Sequence, residues 1–290
     1  MNLLSHTFAA LYPAFSLLRK FKYLTGYDRS IRIRVLLYHD ISPQEHNNFK
    51  RQLDWLSRNW TFISPEQFSA FMSGKLTIQN NSLLLTFDDG FASNLAIAKE
   101  ILNPMGIKAL FFVVSDLAGI EDREEAKKFI ANHVQLGTSI HKLSPYLSNM
   151  KWSDLEDLIK QGHTIGAHTS THARLSEIKS SKILEEEIIS SADRLSDRLG
   201  VQVEHFAYTF GDLASISNQA FRVAQKRFHY IYSGLRGDNS IGTSSHAIRR
   251  DALKTSDSNA YLGALLEGGA DFLYRRSLNK LDYWTTKLNC

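Results

Sequence analysis

Cysteine is almost missing from this chain: among 290 residues the only one is Cys290, the last. That excludes internal disulfides and any metal site built on several thiolates. The scarcity fits a reducing compartment, and the expectation is a cytoplasmic protein, with peripheral contact to the inner membrane left open. A basic stripe interleaved with aromatics is also missing. The net charge of +4 arises from acidic and basic residues spread through the chain, which argues against nucleic acid as a partner. There is no internal repeat and no low-complexity segment. A secretory signal in the usual order is lacking too: Arg19, Lys20 and Lys22 follow the apolar run over residues 1–18 instead of preceding it, and no small-residue cleavage site comes after it. The run carries His6 and Pro13 and is short for a membrane span. Three readings stay open for it: an amphipathic helix docked on the protein's own surface, an interfacial anchor touching a membrane through residues 1–22, or an uncleaved span or signal.

What is present is the composition of a soluble globular chain, 43% hydrophobic and 22% charged. The β-branched, apolar stretch Ile31 to Tyr38 reads as a strand ending at His39-Asp40. Phe49, Leu53, Leu56 and Trp60 keep helical spacing. Ser64-Pro65-Glu66-Gln67 has the features of a helix start, with a serine cap, an early proline and a glutamine three residues on. Further strands are expected from Ser82 to Phe87, Ile107 to Val114, His163 to Ala167, Val203 to Tyr208 and Tyr230 to Ser233, and at Ala247-Ile248, with helices between them. Strands alternating with helices imply a mostly parallel sheet covered by helices, either open or closed into a barrel. The expected organisation is an N-terminal helical segment over residues 1–30, a catalytic domain over 31–255 with an insertion at 116–148, and an amphipathic helical extension over 256–290. The insertion either covers a substrate groove or is a solvated excursion.

The most informative stretch is Leu83-Leu84-Leu85-Thr86-Phe87-Asp88-Asp89-Gly90. Two carboxylates stand where a buried strand emerges into a loop, and adjacent like charges are costly unless their roles differ. The usual division is that one binds a cation and the other stays free as a base. Further ligands are offered by His168-Thr169-Ser170-Thr171-His172, also after an apolar strand. Asp-Asp-Gly alone is common in turns, and His-x-x-x-His alone is commonly a pair of surface histidines; their conjunction is what points to a site. Asp89, His168 and His172 form a ligand set suited to zinc or a similar first-row ion with an open position. Such an ion would polarise a carbonyl and lower the pKa of bound water, with Asp88 as general base. His39, Asp88, Asp89, His168 and the Tyr208–Gly211 segment all fall at or just beyond strand C-termini, where a parallel barrel collects its catalytic groups.

Thr86-Phe87-Asp88-Asp89-Gly90 followed by His168-Thr169-Ser170-Thr171-His172 resembles the polysaccharide deacetylase family, the NodB-homology carbohydrate esterases. Met150-Lys151-Trp152-Ser153 through Gly162-His163-Thr164-Ile165-Gly166 is similar to the family's approach to its histidine motif, and Leu36-Leu37-Tyr38-His39-Asp40 resembles the opening strand of one branch. The resemblance covers roughly residues 31–250 and implies a distorted (β/α) barrel with about seven parallel strands. It also implies metal-dependent hydrolysis of acetyl groups from N-acetylated sugars, polymeric or lipid-linked. The implied cofactor is one divalent ion, zinc first, with cobalt, nickel or iron as alternatives. Residue by residue, Asp88 matches the base, Asp89, His168 and His172 the metal ligands, and His39 a general acid.

The third motif departs from the family. Where an arginine, a variable residue and Pro-Tyr are usual, this chain has Phe206-Ala207-Tyr208-Thr209-Phe210-Gly211. Ala207 removes the arginine that would orient Asp88. Tyr208 and Phe210 are expected at the substrate, with the Phe210 backbone amide as an oxyanion donor. His246 is the alternative to His39 as acid. An O-acetyl esterase or non-sugar amidohydrolase on the same metal site, and a non-catalytic saccharide-binding protein, are the competing functions.

Overall fold

The computed structural model describes residues 3–25 and 31–286. Residues 1–2 and 26–30 of the expected N-terminal segment and 287–290 of the expected extension, Cys290 included, lie outside the described residues. The strands are β1 (Ile33–Tyr38), β2 (Thr61–Phe62), β3 (Ser82–Phe87), β4 (Ala109–Val113), β5 (Thr164–Ala167), β6 (His205–Ala207), β7 (Tyr230–Tyr232) and β8 (Asp251–Ala252). Seven of them follow one another in the order β7-β6-β5-β4-β3-β1-β8, and β2 pairs with the start of β3. Every pairing is parallel, as expected of strands joined by helical crossovers. The sheet curls on itself. Ile248 bridges to Tyr232 of β7, and a few residues on β8 pairs with Leu36 and Leu37 of β1, so residues 248–252 bring the two ends together. The expected seven-stranded distorted barrel is the observed architecture. The strand expected at Ala247-Ile248 is a single bridge at Ile248, and the pairing strand lies three residues further on.

Alternation along each strand separates two cores. Ile33, Val35, Leu84, Leu110, Phe112, Ala207, Tyr232 and Ile248 face the barrel interior. Leu36, Tyr38, Leu85, Phe87, Phe111, Ile165, Phe206 and Tyr208 face outward beneath the helices. The period of two therefore carries Thr86 inward after Leu84 and delivers Asp88 to the interior at the mouth. The same count brings Gly166 and then His168 inward from β5. Glycine is required at 166, because a Cβ there would sit 2.6 Å from the Phe112 ring.

A buried ionic network ties the strands to the C-terminal helices. Arg34, fully enclosed, donates to both oxygens of Asp251 at 2.7 Å and to Asp271 at 2.7 Å and 3.0 Å. The expected insertion contains the short helices Ser115–Ala118 and Arg123–Phe129 and a π turn over Ile130–Val134. Its own apolar cluster gathers Leu117, Ala126, Ile130 and Leu147 against Phe91. The N-terminal helix Leu3–Leu24 packs on the helix Asn259–Leu266, with the Tyr12 ring against Gly263. No helix among the described residues is long and apolar enough to cross a membrane.

His163 and His205 are buried near the N-terminal ends of β5 and β6, and burial pushes each down to about 4. The unfolded chain takes up protons near pH 6.5 that the folded chain refuses until about pH 4. Stability should therefore fall as pH drops through that window, by up to about 1.4 kcal/mol per pH unit for each histidine. Urea midpoints measured across it should fall less steeply for His205→Gln than for the parent. Parallel slopes would show that His205 is not held neutral.

Candidate metal and catalytic site

Loops at the C-terminal ends of the strands enclose a cavity of about 470 Å³, within the range of about 300–1,000 Å³ usual for small-ligand sites. His39, Asp40, Asp88, Asp89, His168 and His172 line it with Phe210, Gly211, Arg250 and, from the insertion, Val134 and Gln135. The backbone here is strained. Among the described residues, the non-glycine residues with positive φ are Asp89, Thr169, His172 and Phe210, at 63° to 76°. Such conformations cost of order 1–3 kcal/mol each and persist only where surroundings over-determine them.

The surroundings do so through named contacts. Glu187, on the helix Ser181–Leu199, accepts from the Ser170 and Thr171 amides at 3.1 Å and 3.0 Å and from the Thr171 hydroxyl at 2.7 Å. It braces the loop between the two histidines. The Thr209 hydroxyl, standing where the family's proline would be, donates to the Ala173 carbonyl at 2.6 Å and joins the third-motif loop to the histidine loop. Gly211, with φ of 71°, lies against Gly234, whose Cα a Cβ at 211 would meet at 2.8 Å.

Both imidazoles are oriented through Nδ1. His168 Nδ1 is 2.7 Å from the Ala207 carbonyl, and His172 Nδ1 is 2.9 Å from the His133 carbonyl. A carbonyl only accepts, so each Nδ1 carries the hydrogen and each neutral ring keeps its Nε2 lone pair for the interior. Those Nε2 atoms lie 3.5 Å and 3.4 Å from Asp89 Oδ1. That oxygen is buried and has no hydrogen-bond partner. Two nitrogen donors and one orphaned carboxylate oxygen, all within 4.8 Å of one another, fit a divalent ion. Ligands at zinc distances on a tetrahedron stand about 3.3 Å apart, close to the separations seen. The electrostatics agree with that fit. Burial alone would raise the Asp89 carboxyl, but the facing imidazoles outweigh it and hold it well below the carboxylate range. Burial would lower His168, and the charges of Asp88 and Asp89 raise it instead. The pocket calls for positive charge.

Asp88 is not without an arginine. Arg250, two residues beyond the Ile248 bridge, crosses the barrel and grips both Asp88 oxygens at 2.6 Å and 2.9 Å, while its Nε donates to the Ser233 carbonyl at 2.8 Å. Its guanidinium lies 5.1 Å from the centre of the Phe112 ring. Small Ala207 faces the same interior. The expected loss of support for Asp88 is thus corrected: the partner comes from the last strand segment instead of the third motif. In sequence, Arg249-Arg250-Asp251 reads as a polar exit from an apolar strand, and no local signal separates the inward Arg250 from its neighbours.

The other expected residues divide. His39 stands exposed on the cavity wall, and Phe210 lines the cavity with Arg174 over its ring at 4.2 Å. Tyr208 does not reach the cavity, because strand alternation turns it outward into the core beneath the helices, where it is fully buried. His246 is also elsewhere: its Nε2 meets the Phe228 carbonyl at 3.1 Å and its Nδ1 meets Gln225 at 3.3 Å. Glu187 was legible only as an acidic residue next to Leu184 and Ile188 on an otherwise apolar helix face.

Replacing Glu187 by alanine should lower divalent-metal affinity by about 10–100-fold, the usual cost of losing a group that orients ligands. Calorimetric titration of the metal-stripped protein measures this, with circular dichroism as a folding check. Unchanged affinity would show that the loop keeps its shape without the brace.

The polysaccharide deacetylase family model matches residues 75–230, just over half of the chain. YxkH of Bacillus subtilis, named for the same family, is 26% identical over 114 residues, which span 37% of this chain and 41% of that protein. Among solved structures, IcaB from Ammonifex degensii superposes with a TM-score of 0.64 at 20% identity, covering 82% of this chain and 97% of its own. Streptococcus pyogenes deacetylase PplD, solved with acetate, superposes at 0.62 and 20% identity over 80% and 97%. A de-N-acetylase from Aggregatibacter actinomycetemcomitans gives 0.64 at 16% identity over 81% and 99%. At these identities the superpositions speak for the fold, and the matched motif region speaks for the lineage: the chain belongs to the polysaccharide deacetylase family.

Proposed function

We propose that this protein is a metal-dependent hydrolase that removes acetyl groups from the amino sugars of an N-acetylated saccharide. The observation that carries the reading is the buried, unpartnered Asp89 Oδ1 facing two oriented imidazoles, directly beside a carboxylate clamped by arginine. Asp89, His168 and His172 would hold the ion, with zinc best suited to two imidazoles and one carboxylate. When bound, it supplies Lewis acidity toward an acyl oxygen and a nucleophilic water at neutral pH.

The chain's own residues do the rest. Asp88 accepts the proton of the attacking water; its Oδ2 lies 3.9 Å from His168 Nε2, at the edge of the ligand cluster. The guanidinium fork of Arg250 fixes both carboxylate oxygens, so Asp88 keeps one orientation as charge moves. His39, on the wall of the same cavity, donates a proton to the departing amine. The Phe210 amide, on a residue held at positive φ, is the donor assigned to the developing oxyanion. Phe210, Val134 and Gln135 give the cavity apolar and amide surface for a sugar ring. The ester and non-sugar amide readings drew their support from the altered third motif, and Arg250 removes much of that support. The acetate bound in PplD agrees with acetyl release as the reaction class.

The zinc-loaded protein should release acetate from an N-acetylated oligosaccharide. Asp88→Asn should abolish release while metal content by elemental analysis stays unchanged. His39→Gln should cost about 100-fold or more in kcat, whereas His246→Gln should cost little. Full activity in Asp88→Asn would sink the mechanism, and a preference for O-acetyl over N-acetyl sugars would overturn the substrate class. Arg250→Lys keeps the charge but loses the fork, and should lower kcat by about 10–100-fold with metal content unchanged.

A further inference from the structure

Two segments far apart in sequence expose apolar side chains at one end of the molecule. The N-terminal helix lies on the helix Asn259–Leu266 and the turn after it. A Cβ at Gly263 would meet the Tyr12 ring at 2.3 Å, and one at Gly269 would meet the Phe15 ring at 2.9 Å. From Tyr12 to Phe15 the helix thus runs toward Gly269, and beyond Phe15 it passes the end of its support. There Leu17, Phe21 and Leu24 are 70%, 63% and 79% exposed. Their spacing of four and three residues makes one stripe, and exposed Ala10 and Ala14 continue it. Three residues after Gly269, Phe272 and Leu273 are 67% and 56% exposed in the turn Asp271–Tyr274.

Basic residues accompany both segments. Arg19, Lys20 and Lys22 belong to the same turns of the N-terminal helix as the stripe, and exposed Arg275 and Arg276 follow Leu273. Gly268, beside Gly269, lies against the guanidinium of Arg32, the residue before β1. This end of the molecule is therefore the edge where strands begin, and the catalytic cavity opens at the edge where they end.

We propose that this end docks on an anionic lipid surface, with Leu17, Phe21, Leu24, Phe272 and Leu273 entering the headgroup region and exposed Arg275 and Arg276 meeting lipid phosphates. An apolar stripe on a helix too polar to span, with exposed Arg275 and Arg276 beside the second apolar segment, suits an interface. The catalytic cavity then faces away from the bilayer. That orientation favours a saccharide arriving from the aqueous side over a sugar held against the membrane by its own lipid. The docking itself does not depend on the proposed reaction.

The full chain should co-float with vesicles of phosphatidylcholine and phosphatidylglycerol, bind less to phosphatidylcholine alone, and release partly at high salt. The double variants Leu17→Glu/Phe21→Glu and Phe272→Ser/Leu273→Ser should each lower the partition coefficient by about tenfold or more, with unchanged thermal melting by circular dichroism. In a Cys290→Ser background, a nitroxide at Leu273→Cys should become shielded from a water-soluble relaxant on vesicles, while one at Leu136→Cys, beside the cavity wall, stays accessible. The proposal is overturned by absent vesicle binding, by parental binding in both double variants, or by a dimer in solution that these substitutions dissociate. The reverse shielding pattern would overturn the orientation.

Discussion

The site depends on one buried ion pair. Asp88 and Arg250 are both enclosed, and removing two charges from water is repaid only when geometry is good and the remaining hydrogen-bonding capacity is used. Here the fork is bidentate and Nε goes to the Ser233 carbonyl. The pair joins β3 to the segment that closes the sheet between β7 and β1, so the same contact that orients the Asp88 carboxylate also holds the barrel shut at its mouth. One residue further on, Asp251 points outward to Arg34. Alternation along one short segment thus anchors it on both faces, to Asp88 inside and to the C-terminal helices outside.

Much of this was legible in the sequence, for identifiable reasons. Asp88 and His168 could be read because each sits one step beyond an apolar strand, where period-two alternation fixes the direction, and Asp89 and His172 were read from their spacing to these two. The same rule, applied from Ala207 instead of from the motif, would have turned Tyr208 outward. The parallel sheet followed from strands alternating with helices. Arg250 was not legible, because its role depends on a contact across the barrel between residues 162 apart. His133 was hidden for a different reason: it acts through its backbone carbonyl, and any residue type supplies one.

The strained positions show how the motif residues converge on one point of the cavity. Asp89, Thr169, His172 and Phe210 all adopt a conformation that ordinary side chains disfavour, and the loops that carry the last three are tied down by side chains: Glu187 under the histidine loop, and Thr209 across to Ala173. The departure Thr209 is therefore a replacement with its own function. A hydroxyl that ties two loops together stands in for the rigidity of a ring.

The carbonyl of His133 belongs to the insertion and yet fixes the tautomer of His172. The segment that walls the cavity also orients one imidazole beneath it. Grafting a different insertion onto this barrel would change two properties together, the shape of the cavity and the orientation of the His172 ring. Chimaeras made to alter saccharide preference in such a scaffold would need to conserve a backbone acceptor at this point, whatever side chains surround it.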